Sequence, residues 1–113
     1  MKGSIDILLL SQIAQRDMYG FEIIKNLEAQ SNSLYVMREG TLYPALQRLE
    51  QKKYLESYWG DSETGGRRKF YKITDPGRKI LQQKMNDWNK LNELINTCKR
   101  EGNTWIGSEC TLT

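Results

Sequence analysis

Apolar residues recur at helical spacing over three stretches of the chain, give way to an extended pattern, and return to helical spacing in a long final run. Over residues 4–16, Ile5, Leu8, Leu9 and Ile13 share one helical face, while Ile7, Leu10 and Ala14 form a second strip on roughly the opposite face. A helix that is apolar on two sides needs cover on two sides, whereas a surface helix of a small monomer needs only one stripe. The second strip therefore requires a partner. Asp17 and Met18 break the pattern, and a second helix is predicted from about Tyr19 to Gln30, with Gly20, Ile23, Ile24 and Leu27 facing inward and Ser31-Asn32-Ser33 closing it as a polar loop. A third helix follows from Leu42, Ala45, Leu46 and Leu49 at i, i+3, i+4 and i+7. Pro44 is expected in its first turn, where a missing amide hydrogen costs little. The opposite face carries Thr41, Tyr43, Gln47, Arg48 and Gln51, side chains able to hydrogen-bond base edges or phosphates.

After Lys53 the pattern becomes extended. Tyr54-Leu55-Glu56-Ser57-Tyr58-Trp59 and Lys69-Phe70-Tyr71-Lys72-Ile73 are rich in strand-forming residues, and the turn-rich segment 60–68 between them ends in Arg67 and Arg68. This predicts a β-hairpin with a flexible basic tip. Thr74-Asp75-Pro76-Gly77 is a helix start, with Thr74 or Asp75 as cap and proline in the first turn. The last helix is predicted from about Arg78 to Lys99. Leu81, Trp88 and Ile95 are seven apart, Leu91 and Cys98 supply much of a second row, Lys84 interrupts the seam and Met85 widens it. A helix this long beyond a complete small domain is expected to pack on the second strip of the first helix of another subunit. The expected dimer interface is thus Ile7, Leu10 and Ala14 with Leu81, Met85, Trp88, Leu91, Ile95 and Cys98. Residues 102–113 lack periodicity and are expected to form a mobile tail.

The fold class implied is mainly α with a small β-hairpin: a winged helix-turn-helix over 1–75 and a long C-terminal dimerisation helix over 76–101. In this arrangement the third helix enters the major groove and the wing reaches sugar-phosphate or the minor groove. Composition narrows the function. With 113 residues, 38% hydrophobic and 27% charged, the chain has the make-up of one soluble globular domain. The apolar run Ile7 to Leu10 is too short to span a bilayer, and the N-terminal segment lacks the features of a signal peptide, so a cytoplasmic location is expected. Histidine is absent, and the two cysteines, Cys98 and Cys110, lack metal-ligand spacing. No metal, no cofactor and no enzymatic activity are expected, since a Ser-His or Cys-His nucleophile cannot be built. A net charge of +3 does not by itself indicate nucleic-acid binding, so the placement of the charges matters more.

Particular segments add specificity. Tyr19-Gly20, then Gly40-Thr41-Leu42-Tyr43-Pro44-Ala45-Leu46-Gln47-Arg48-Leu49-Glu50, then Gly65-Gly66-Arg67-Arg68-Lys69-Phe70-Tyr71, and on through Ile73-Thr74 and Gly77 to Trp88, resemble the PadR-like repressors over about residues 3–98. The resemblance implies a homodimeric, DNA-binding transcriptional repressor whose C-terminal helix packs on the first helix of its partner. It implies phosphate contacts at Tyr19 and Tyr43, readout from the face bearing Thr41, Pro44, Gln47, Arg48 and Gln51, and wing contacts from Arg67, Arg68 and Lys69. Ser57-Tyr58-Trp59-Gly60-Asp61 is similar to short-tailed members that bind planar aromatic, drug-like compounds. In those members a tryptophan matching Trp88 flanks a central pore, lined also at positions matching Asp6, Ile7 and Leu10. Lys84 departs from the small residue found there and would narrow the pore or favour anionic ligands. Trp59 is expected to pack the wing on the domain body, Cys98 to pack in the interface and Cys110 to be an exposed tail thiol. The alternative reading is a winged-helix protein-interaction module without specific DNA binding.

Overall fold

The computed structural model describes residues 2–101 and orders them as α1 (Lys2–Gln15), β1 (Met18–Tyr19), α2 (Gly20–Gln30), α3 (Glu39–Gln51), β2 (Leu55–Asp61), β3 (Arg67–Ile73) and α4 (Asp75–Glu101). Residues 1–81 make one compact unit, and α4 continues from it into a second that begins at Gln82. The segment 102–113, with Trp105, Ile106 and Cys110, lies outside the described residues.

The first unit closes around Leu9, Leu10, Ile13, Met18, Ile23, Leu42, Leu46, Leu49 and Leu55, all buried. Leu42, Ala45, Leu46 and Leu49 form the inward face of α3 as their spacing predicts. On α1 the core face is Asp6, Leu9, Leu10 and Ile13, shifted from the expected Ile5, Leu8, Leu9 and Ile13. This corrects the second strip at Leu10, which is fully buried within its own chain. Five of the six residues from Ile5 to Leu10 are apolar, Asp6 being the exception, so hydrophobicity leaves the phase of the helix nearly free. A charged side chain took the core position because a partner was available to neutralise it.

Helix boundaries follow local chemistry. Glu22 accepts a hydrogen bond from the Tyr19 backbone N–H at 3.4 Å and so holds the start of α2. The third helix begins at Glu39, with Arg38 as N-cap residue, so Pro44 lies in the second turn, not the first. Its missing N–H leaves the Gly40 carbonyl without an intrahelical partner, and both residues are on the exposed face, where water can satisfy that oxygen. At α4 the Thr74 hydroxyl accepts the Gly77 N–H at 3.0 Å and donates to the Lys53 carbonyl at 2.7 Å. A Cβ on Gly77 would stand 2.2 Å from the Tyr54 carbonyl oxygen. Glycine there allows the first turn of α4 to lie against the turn before β2.

The sheet has three antiparallel strands in the order β1-β3-β2. The hairpin was legible from the sequence; β1, two residues long, was not. Register runs without a bulge from Leu55 opposite Ile73 to Asp61 opposite Arg67. The strands extend further than expected, leaving only 62–66 as the connecting turn, so Arg67 and Arg68 open β3 and do not form a loose tip. Gly65 and Gly66 have φ of 99° and 88°, a region that a Cβ disfavours. The Ser62 hydroxyl donates to the Gly65 carbonyl at 2.8 Å and closes the turn.

Candidate nucleic-acid interface

The exposed face of α3 is graded by its neighbours. Gln47 and Gln51, one turn apart, are exposed with Pro44 along its centre, and Thr41 is exposed on the flank nearer α1. Arg48 lies on that flank too, but its guanidinium is spent on the Asp6 carboxylate at 2.7 Å. The opposite flank, carrying Tyr43 and Glu50, faces the hairpin, where Tyr43, Gln47, Glu50, Gln51, Lys69 and Tyr71 line one depression. A second depression, lined by Tyr19, Gly20, Phe21, Tyr43, Arg68, Lys69 and Tyr71, adjoins it through Tyr43. Of the ten residues expected to meet DNA, Tyr19, Tyr43, Gln47, Gln51, Arg68 and Lys69 thus come together, whereas Arg48 is turned inward.

Tyr43 holds its place because residue 20 is glycine. A Cβ there would lie 2.5 Å from the Tyr43 hydroxyl oxygen, so the phenol rests directly on the first turn of α2. Burial and the nearby Glu39 carboxylate raise the Tyr43 pKa above its usual value, and a neutral phenol can donate to a phosphate. Tyr71 is likewise raised, by burial and then by Glu50.

Pleating divides the wing side chains between two faces. Tyr19, Phe70 and Tyr58 occupy the face away from α3: Tyr58 stacks on Phe70 with centroids 5.6 Å apart, and Tyr19 meets Phe70 edge-on at 5.3 Å. The Arg68 guanidinium carbon sits 5.7 Å from the Tyr19 ring centroid, a cation–π arrangement that orients it. Tyr58 also donates to Asp17, and this hydrogen bond is the main cause of a pKa pushed up to about 12. The other face turns to α3. Ser57 donates to Glu50 at 2.7 Å, and the Lys69 ammonium lies 3.9 Å from the same carboxylate and 5.6 Å from the Tyr71 ring centroid. Arg67 belongs to this second face and Arg68 to the first, so the two adjacent cations point apart.

Glu50 as the tie between α3 and the wing escaped sequence reading, since an acidic residue on a surface helix carries no such signal. Trp59, expected to pack on the domain body, is 61% exposed.

The residues expected at an effector pore and dimer seam are distributed differently. Asp6 and Leu10 are buried in the first unit, and Ile7 and Ala14 are half-buried. Leu81 packs at the edge of the core. Farther along α4, in the stretch that also holds Lys84 and Met85, Trp88, Leu91, Leu94 and Ile95 are 54%, 50%, 59% and 44% exposed, and Cys98 is exposed as a free thiol. Leu94 was not among the expected residues. Among the described residues there is no cluster of potential metal ligands and no helix long and apolar enough to cross a membrane.

The profile of the transcriptional regulator PadR-like family matches residues 9–83. A transcriptional regulator from Clostridium thermocellum is similar in structure, with a TM-score of 0.75 and 40% identity, covering 84% of this chain and 92% of that one. A PadR family transcription regulator from Clostridium difficile R20291 has a TM-score of 0.71 and 37% identity, with 82% and 95% covered. An uncharacterised protein of Lysinibacillus sphaericus is 37% identical over 95 residues, 84% of this chain and 87% of its own length.

Proposed function

Because the chain belongs to the PadR-like family of transcriptional regulators, which act by binding DNA, we propose that it is a homodimeric, sequence-specific repressor released by a planar aromatic or hydrophobic effector. The observation that carries the DNA reading is the exposed pair Gln47 and Gln51 on α3, standing beside Tyr43 and Lys69 around one depression. Two amide side chains one turn apart suit adenine edges in the major groove, while Lys69 and Arg68 supply charge for the flanking backbone.

Dimerisation is supported by the apolar residues Trp88, Leu91, Leu94 and Ile95, exposed at successive turns of α4. Pairing two copies sets two recognition helices for successive major grooves, roughly 34 Å apart on one side of the duplex. Repression and effector release rest on the resemblance to drug-binding members, with Trp88 as the stacking surface. A ligand that prefers a dimer of different spacing lowers DNA affinity by its differential affinity for the two states.

The test is a mobility shift at moderate salt with a duplex selected from a random pool on the full chain, set against a duplex of mixed sequence. Preference for the selected duplex is expected, reduced by planar aromatics. Equal affinity for both would replace the sequence-specific reading with a nonspecific one. For the effector, the fluorescence of Trp88 is followed in a Trp59→Phe, Trp105→Phe background. If cationic and anionic planar aromatics all leave it unchanged, Trp88 is an interface residue only.

A further inference from the structure

Trp59 has no role in the fold that its burial would explain: 61% of it is exposed, on a strand whose neighbouring aromatic residues are engaged with one another. Its direction is fixed by the pleat. Leu55, Ser57 and Trp59 project from the same face of β2, and Leu55 enters the core while Ser57 bonds to Glu50 of α3. Trp59 therefore lies on the α3 side of the wing. Its cross-strand neighbour is Lys69, which with Tyr71 lines the depression shared with Gln47 and Gln51. Directly opposed side chains in an antiparallel pair approach to about 5 Å at Cβ, so Trp59 and Lys69 leave the sheet side by side, with the Lys69 ammonium directed to Tyr71 and Glu50. Arg67, two residues before Lys69 on the same face, places a second cation next along the strand.

We propose that Trp59 is a DNA-contacting residue whose indole packs against the deoxyribose edge of the strand running between α3 and the wing, with Lys69 at the adjacent phosphate. The proposal rests on the DNA-binding reading above. A duplex presents the matching surface: the backbone ridge between major and minor groove alternates anionic phosphates with apolar sugar faces, as Lys69 and Trp59 alternate cation and flat apolar ring. Tryptophan suits this position because its large rigid surface is ordered at low entropic cost. Water leaves an indole that is already exposed and already held by its strand. The contact adds affinity without a charge, so it differs from those of Lys69 and Arg68 in its response to salt.

The experiment measures affinity of the full chain for the pool-selected duplex and for the mixed-sequence duplex across a salt series. Trp59→Ala and Trp59→Thr are compared with Lys69→Ala, threonine being included because it keeps strand propensity. Both Trp59 variants are expected to bind each duplex about tenfold more weakly, the factor for removing roughly half an indole's free surface from water. Their log-log salt slope should equal the parent's, whereas Lys69→Ala should lower it by about 0.9. Thermal midpoints of the free proteins should stay together. Trp59→Thr binding as tightly as the parent overturns the proposal and leaves DNA binding intact. Loss of affinity together with a lowered midpoint in both variants also overturns it, since the indole would then be supporting the hairpin. A parent that binds neither duplex overturns the DNA reading itself and the role of Trp59 with it.

Discussion

Arg48 on α3 donates a 2.7 Å hydrogen bond to the carboxylate of Asp6 on α1, and the two side chains are unequally covered, 31% exposed for the arginine and 9% for the aspartate. The pair ties α3, whose exposed face carries Gln47 and Gln51, to α1. It also engages within the fold a cation that its position on α3 would otherwise present on the exposed flank.

The unequal burial gives the pair a direction. Arg48→Ala strands a buried carboxylate and should destabilise the fold by about 3 kcal/mol, while Asp6→Ala leaves a guanidinium that can reach water and should cost about 1–2 kcal/mol. Urea unfolding midpoints of the two variants check the order. An equal or reversed order would mean that Asp6 is hydrated in solution. Arg48→Ala should also leave the salt dependence of DNA binding unchanged, since no phosphate contact is lost.

On the exposed face, charge and hydrogen bonding separate by residue. Arg68→Ala and Lys69→Ala should each weaken binding to every duplex and lower the salt slope by about 0.9. Gln47→Ala should instead cost about 1–3 kcal/mol on the selected duplex and little on a mixed sequence. Titrations of labelled duplexes decide; an equal loss on both would move Gln47 to the backbone.

Gly20 and Tyr43 make a contact with no spare volume, since a Cβ on Gly20 would stand 2.5 Å from the phenol oxygen. Gly20→Ala should displace the Tyr43 ring, cost about 1–2 kcal/mol through overpacking, and reduce DNA affinity. In a Tyr43→Ala background the same substitution should be close to neutral. A double-mutant cycle on thermal unfolding measures the coupling, and simple additivity would show that the ring had another route to relax.

Leu91 and Ile95 are exposed apolar residues one turn apart on α4. Leu91→Lys with Ile95→Lys should convert the proposed dimer to monomers in sedimentation equilibrium at micromolar concentration, because burying unpaired cations at an apolar seam is strongly unfavourable. A parent that already sediments as a monomer would remove the basis for this seam.

Tyr58 is held protonated by Asp17, with a pKa pushed up to about 12. A folded-state value above the unfolded one, near 10, means that the stabilisation is complete below about pH 10 and is lost as pH rises through 12. Ultraviolet titration of phenolate should therefore show its latest step abolished in Tyr58→Phe. The exposure of Tyr58 keeps the associated stability small, so the melting temperature at pH 7 should change by no more than a few degrees.

Local pattern carried most of the architecture. The strict spacing of Leu42, Ala45, Leu46 and Leu49 admits one helical phase, so it determined both the core face of α3 and, by exclusion, the side bearing Gln47 and Gln51. The aromatic and aliphatic runs on either side of Gly65-Gly66 determined the hairpin, and Thr74 with Pro76 determined where α4 starts. Tertiary structure decided what local pattern leaves degenerate. The near-continuous apolar run on α1 fits several phases, and only pairing with Arg48, 42 positions away, put Asp6 inside and Leu10 with it. A two-residue strand at Met18–Tyr19 has no period to read; it exists because β3 offers an edge for hydrogen bonding. The direction of each wing side chain depended on register, which separated Arg67 from Arg68 and turned Trp59 toward α3. Sequence thus specified elements through interactions a few residues apart, while contacts between distant positions chose among the phases and faces that those elements left open.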